Sequence, residues 1–373
     1  MRDELVFERI GEVRSRITAM RLVAYTDNVE LGGADLSMAH LITRLDPSID
    51  VTVLGVSRGV VERIAAGRPN AVARIVTRPR SGHDLRSLTA HVSAIREIAP
   101  DVVHANLSSP WSCQYAIAAG SLTRRAHVVA VYQLAVPPIS ARQRRMKRLT
   151  ARRVQRHVGV GERTSRQVEE LIGLRYGSLR TIHNGVPDET TQPFPRPSPG
   201  PLIGAIGRLE HQKGIDLLIR ALADLEGATL LIVGDGSQRR PLEELAIALD
   251  VADRVVWSGW RDDARRYLGS LDVFALPSRF EGFPLALLEA LLARSAVVAA
   301  DVGSVSEAVL DGETGLLVPP DDPAALAAAI QRLLASSGLR RRLGEGGRRV
   351  VLERFTADHM THAFESLYDE MLR

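Results

Sequence analysis

A single cysteine in 373 residues rules out an intramolecular disulfide framework and a cysteine-rich metal centre, and it fits a reducing compartment. That residue, Cys113, reads as a small buried apolar group. Aromatic residues make up only 4% of the chain, too few to interleave stacking surface with its cationic stretches, so no nucleic-acid partner is expected. No run approaches the roughly 18 apolar residues of a membrane-spanning helix. The N-terminus has no apolar block followed by small residues, so no secretory signal is read and a cytoplasmic address is expected. A glycine is missing where one motif would need it. "GDGSQ", Gly234 to Gln238, is followed by Arg239 where G-x-G-x-x-G requires a third glycine, which disfavours a nicotinamide-dependent oxidoreductase.

What is present suits two domains of medium size, since 45% of the residues are hydrophobic and the chain is too long for one ordinary core. From Arg21 onward, "RLVAYT", "DVTVLGV", "DVVHANL", "HVVAVY", "HVGVG" and "RTIHNGV" alternate with helical patterns, as in a parallel sheet covered by helices. Residues 187–201 hold six prolines and no apolar periodicity and read as a linker. The alternation then restarts with "LIGAIGR", "TLLIVGDG", "RVVWSGW", "DVFALPS", "AVVAAD" and "GLLVPPDD". The expected architecture is an N-terminal extension (1–19, or a matter of start-codon choice), a first Rossmann-like α/β domain (20–186), the linker, a second such domain (202–354) and a closing helix (355–373) that returns to either domain. Ligands in such sheets sit at the carboxyl ends of the strands, so a cleft between two such edges is expected.

Charge is uneven about a modest net +4: residues 142–156 hold eight Arg or Lys and no acid. The plain reading is a solvated helix face, and the sharper one is peripheral contact with an anionic membrane.

The loops after the second domain's strands carry the chemistry. In "GRLEHQKG", Gly207 permits a tight backbone, and Arg208 and Lys213 place two cations that suit a diphosphate. In "PSRFEGFPLALLEA", Pro284 suits the first helical position, so the free N–H groups of Gly282, Phe283 and Leu285 point out of a helix start that can hold phosphate. Glu281 lies in the loop before that start. Glu289, eight residues later, interrupts an otherwise apolar helix. Carboxylates accept paired hydrogen bonds from vicinal hydroxyls, so one acid suits a sugar ring and the other a ribose.

These stretches, with "VGDG" and "DGETGLLVPPDDP", resemble the retaining glycosyltransferases of the GT-B fold, family 4. Gly32-Gly33-Ala34 after the first strand and "HNGV", residues 183–186, extend the likeness over nearly the whole chain after Met20. The resemblance implies transfer from a nucleoside-diphosphate sugar to a glycolipid, polysaccharide-precursor or small-metabolite acceptor, with no cofactor beyond that co-substrate. It implies that Arg208 and Lys213 neutralise the diphosphate, that Glu281 contacts and orients the transferred sugar, and that Glu289 holds the ribose. Gly207, Gly234, the Gly282–Leu285 segment and Glu307 would complete the donor pocket, with Gly33 approaching from the first domain. No Asp-x-Asp pair occurs anywhere, which fits metal-independent transfer. Relatives often carry a histidine after the fourth strand where Gln133 stands here, and His104 is a substitute for the sugar contact. "GVGE" leaves Glu162 without the usual preceding serine, and "DVGSVSE" replaces a Gly-Gly version while keeping Gly303 and Glu307. The Gln133 substitution also admits a nucleotide-sugar-binding partner subunit without catalysis.

Overall fold

The computed structural model describes residues 20–81, 83–123, 125–189 and 192–373; the proposed extension 1–19 lies outside the described residues. The chain divides into two compact units, one ending at Pro187 and also taking in Ala357–Arg373, the other Asp188–Thr356.

The first unit is built on a seven-stranded parallel sheet: β1 (Arg21–Thr26), β2 (Asp50–Gly55), β3 (Val72–Ile75), β4 (Val102–Leu107), β5 (His127–Tyr132), β6 (Arg156–Gly159) and β7 (Arg180–Thr181). Their order is β3-β2-β1-β4-β5-β6-β7. The central strands β1, β4 and β5 are nearly continuous apolar runs because helices cover both faces, and all six residues of β4 are buried. Strand β3 is absent from the sequence reading. It is an edge strand whose residues are exposed or half-exposed, so no buried run marks it.

The second unit holds β8 (Leu202–Ile206), β9 (Thr229–Val233), β10 (Val255–Gly259), β11 (Val273–Leu276), β12 (Ala296–Ala300) and β13 (Leu316–Val318), in the order β10-β9-β8-β11-β12-β13. In each sheet the order reverses once, between β1 and β4 and between β8 and β11. The loops leaving those strands therefore diverge and open a crevice at their carboxyl ends.

The last helix, Ala357–Leu372, packs in the first unit, where Ala357 donates to the Val186 carbonyl at 2.8 Å and Asp46 N–H to Glu365 at 2.8 Å. The proline-rich stretch is held by the second unit from Phe194 onward. Phe194 N–H donates to Arg266 O at 3.1 Å, its ring lies 3.9 Å beneath the Arg266 guanidinium, and Arg196 pairs with Asp272 at 2.6 Å. Residues 190 and 191 of that stretch lie outside the described residues.

Candidate functional site

In the second unit, the loops leaving β8, β9, β11 and β12 lean on one another through glycine. Gly207 (φ 154°) and Gly234 (φ 146°) touch so closely that a Cβ at Gly234 would lie 1.9 Å from the Gly207 carbonyl oxygen. Gly214, in the left-handed region at φ 63°, would put a Cβ 2.1 Å from the Pro277 carbonyl. This brings the 3₁₀ turn His211–Lys213 against the loop after β11. Arg279 locks the same join: its N–H donates to Gln212 O, and its guanidinium grips Asp216 at 2.8 Å through each of two nitrogens.

Within that frame Lys213 Nζ meets Glu281 Oε1 at 2.6 Å, and Ser278 Oγ donates to the same oxygen at 2.7 Å. Glu281 is 5% exposed, so its charge depends on these partners. The lysine stem crosses Gly207, where an added Cβ would lie 3.6 Å from its Cε. The two cations read together from the sequence thus differ: Lys213 is committed to Glu281, whereas Arg208 is exposed. Arg208 lies near Glu210, whose carboxyl is held below its ordinary range chiefly by hydrogen bonds from Ser237.

The loop after β12 backs this arrangement. Ser304 N–H donates to Gly282 O at 2.9 Å, and Gly303 (φ 53°) approaches so closely that its Cβ would lie 2.0 Å from the Glu281 carbonyl. Glu307 ends the adjoining 3₁₀ turn Val305–Glu307, half-buried.

The helix after Glu281 is Leu285–Leu292, and Pro284 is its N-cap (φ −75°, ψ 130°) rather than its first residue, which corrects the sequence expectation by one position. Proline suits both places: the cap needs an extended ψ that its ring permits. Phe283 is 2% exposed and packs edge-on against Phe355 at 4.9 Å, so its side chain anchors the loop and only its backbone is a ligand candidate. The Leu285 side chain is likewise buried. Glu289 lies four residues into the helix with its side chain 15% exposed; burial pushes its carboxyl up to about 7, opposed by Arg265, whose Nε stands 3.8 Å away.

In the first unit, Gly33 opens the helix Gly33–Arg44, and a Cβ there would meet nothing within 4 Å. Asp35 reaches back to Gly32 N–H at 3.0 Å and also receives Thr26 and Asn28, which fixes the turn after β1. Gln133 belongs to a buried amide chain. Its Nε2 donates to Asn106 Oδ1 (2.9 Å), Asn106 Nδ2 to Ala34 O (2.8 Å), Asn184 Nδ2 to Gln133 Oε1 (3.0 Å), and Ser37 Oγ to Asn184 Oδ1 (2.7 Å). Gln133 thereby braces the Gly33 helix against "HNGV". His104 is a correction: it is 2% exposed, hydrogen-bonded through Nδ1 to Tyr368 Oη at 2.7 Å, and burial drives its imidazole down to about 3. It is a neutral core histidine that joins β4 to the closing helix, not a sugar contact.

The basic stretch is the helix Ala141–Ala151 and the turn after it, and one of its eight cations is not on the surface. Lys147 is 2% exposed, with Nζ 5.1 Å from the Tyr132 ring centre and, among the described residues, without a hydrogen-bond partner. Sequence reasoning also missed Ser278, Arg279 and Arg265. Ser278 stands three residues before Glu281, a spacing that allows a local side-chain contact, whereas Arg265 comes from a separate element and leaves no local signal.

Two such sheets in tandem, with glycine-rich loops and paired charges at one set of strand ends, define a GT-B architecture. The fold agrees with that of Alr3699/HepE from Anabaena in complex with UDP-glucose: TM-score 0.81 at 20% identity, covering 93% of this chain and 99% of that one. Residues 188–350 match the profile of Glycosyl transferases group 1, and residues 31–190 match Glycosyltransferase Family 4. The chain belongs to this family of GT-B glycosyltransferases. Among curated relatives, the lipopolysaccharide core biosynthesis glycosyltransferase LpsE of Rhizobium meliloti is 35% identical over 171 residues, 46% of this chain and 50% of the relative. Glycogen synthase of Mycobacterium tuberculosis is 34% identical over 202 residues, 52% of this chain and 47% of the relative. Alpha-D-kanosaminyltransferase of Streptomyces kanamyceticus is 30% identical over 179 residues, 46% of each. The chain spans about half the length of the curated relatives it matches.

Proposed function

We propose that this chain transfers a sugar from a nucleoside-diphosphate donor to a hydroxyl acceptor, with retention at the anomeric carbon and without a metal ion. The observation that carries the reading is the Lys213–Glu281–Ser278 cluster, held at the carboxyl ends of parallel strands with Glu289 in the helix that follows. Breaking the sugar–phosphate bond leaves an oxocarbenium-like ring and a growing charge on the diphosphate. Lys213 and Arg208 meet that charge, with the backbone N–H groups at the start of the Leu285–Leu292 helix, and fixed donors of this kind stabilise it as it appears. Glu281, ionised against Lys213, orients the sugar hydroxyls and is not a nucleophile. The leaving phosphate oxygen takes the acceptor's proton on the face from which it departs, which retains configuration. Glu289 receives the ribose.

The test is a screen of UDP-, GDP-, ADP- and dTDP-sugars read by thermal stabilisation and by release of free nucleotide. Stabilisation and release with one donor, the release lost in Glu281→Gln, are the expected results. Stabilisation with no release under any acceptor would favour a binding subunit, and the absence of stabilisation by any donor would refute the reading.

The acceptor we favour is lipid-linked, on one observation. Helix Ala141–Ala151 leaves Met146 (48% exposed) and Leu149 (57%) exposed among the exposed Arg142, Arg145 and Arg148, soon after Ile139, which is 92% exposed. Apolar anchors among cations suit an anionic bilayer surface, each cation adding about 1 kcal/mol at low salt. Among the described residues no helix is long and apolar enough to cross a membrane. Co-sedimentation with phosphatidylglycerol vesicles is expected to fall with salt and with Met146→Ser plus Leu149→Ser. Binding that is equal on phosphatidylcholine alone would exclude the electrostatic contact.

A further inference from the structure

The helix Leu285–Leu292 reads LALLEALL, and among the described residues its single acid has one charged neighbour, Arg265. Arg265 Nε stands 3.8 Å from Glu289 Oε1 while its Nη2 donates to Glu189 at 3.0 Å, so one guanidinium spans two carboxylates. The Glu189 side chain is 56% exposed, against 15% for Glu289. Other charges around the helix are turned elsewhere. Arg348, on the packed helix Ser337–Arg354, donates to Leu292 O at 2.8 Å and faces Asp188, and Arg294 pairs with Glu345 at 2.9 Å. Strand β12 has no titratable residue, and Glu281, ahead of the helix, is bound to Lys213. The 3.8 Å separation exceeds hydrogen-bond reach. Arg265 thus favours the charged form of Glu289 by proximity while leaving its lone pairs free for a ligand.

We infer that Arg265 is a positioning residue of the donor site: anchored by Glu189, it holds Glu289 as an ionised, unoccupied carboxylate that accepts the two ribose hydroxyls of the nucleotide. This rests on the assignment of Glu289 to the ribose made above. A carboxyl this buried sits near the edge of ionisation, and loss of its one cation moves it to the neutral form, which accepts paired hydroxyls poorly.

The experiment measures the Kd of UDP, GDP and ADP by calorimetry, then follows the tightest binder from pH 6 to 9 in the native chain, Arg265→Met, Arg265→Lys and Glu289→Gln. If Arg265→Met raises the carboxyl's proton affinity about tenfold, nucleotide binding weakens about tenfold near pH 6.5, and the gap closes to less than about twofold by pH 9. Arg265→Lys, which keeps the charge, is expected to stay within about threefold of the native chain throughout. An Arg265→Met deficit that is the same at every pH, or no deficit, would overturn the inference. If Arg265→Met fails to fold, an affinity deficit in Arg265→Lys of more than about threefold that is the same from pH 6 to 9 would do so. Native affinity in Glu289→Gln, or no nucleotide binding at all, would fault the ribose assignment itself.

Discussion

Lys147→Met is expected to stabilise the first unit. The ammonium is enclosed between its helix and β5, over the Tyr132 ring, with no hydrogen-bond partner among the described residues. Burial lowers its proton affinity so that it titrates at about 7 instead of 10.5, although Cys113 and Asp27 favour the charge. Its presence pushes the nearby His157, already desolvated, further down, to about 4. Keeping the buried ammonium charged at and below pH 7 costs the native state about 5 kcal/mol relative to the unfolded chain, at 1.36 kcal/mol per tenfold in proton affinity. Relaxation of the adjoining turn toward water returns part of this, so the gain in Lys147→Met is expected at about 2–4 kcal/mol at pH 6.5. The sign is fixed by the depressed value. Between pH 7 and 10.5 the unfolded chain binds the extra proton, so native stability climbs with pH, and the advantage of the methionine shrinks to about half by pH 9. The assay is guanidinium unfolding read from Trp111 in a Trp257→Phe, Trp260→Phe background, since Trp111 is then the only tryptophan and lies in the first unit. A methionine variant no more stable at pH 6.5, or equally favoured at pH 6.5 and 9, would refute the reasoning.

Lys213→Met leaves Glu281 buried without its cation. It is expected to destabilise the second unit by about 3–5 kcal/mol and to slow nucleotide release by about 10²–10³. Adding Glu281→Gln to it should restore much of the stability, seen by unfolding midpoints, and none of the turnover. Gly303→Ala combines a left-handed φ with a Cβ 2.0 Å from the Glu281 carbonyl, and a loss of more than about 3 kcal/mol is expected in the same unfolding assay. Gln133→Leu strands Asn106 Oδ1, at about 1–3 kcal/mol, and breaks the bond from Asn184 Nδ2, and a thermal melt of the first unit should show the loss; an unchanged melt would place the amide chain in contact with water.

Much of this architecture was legible beforehand because parallel strands covered on both faces are apolar throughout. The pattern is strong in β1, β2, β4 and β5 of the first unit and in β8, β9, β11 and β12 of the second, weaker in β6, β7 and β10, and missing from β3 at an exposed edge. The helix after Glu281 was legible to within one residue, since Pro284 satisfies the cap and the first turn almost equally. The basic helix was legible as basic, but its inward side was not. A run of Arg and Lys gives a helix no apolar stripe by which to phase it, and only packing against β5 selects Lys147 as the buried cation.

The chain's own order of residues therefore determined that two α/β sheets form and that Arg208, Lys213, Glu281 and Glu289 sit in or just beyond strand-end loops. Those outcomes follow from local periodicity and from turns a few residues long. Tertiary structure decided which charges meet. Lys213 and Glu281 are 68 positions apart and lie 2.6 Å from each other because glycines let two loops touch. Arg265 faces Glu289, and His104 is sealed beneath Tyr368, for the same kind of reason. Side-chain encounters between separate elements depend on how those elements pack, and packing has no expression in the spacing of residues along one of them.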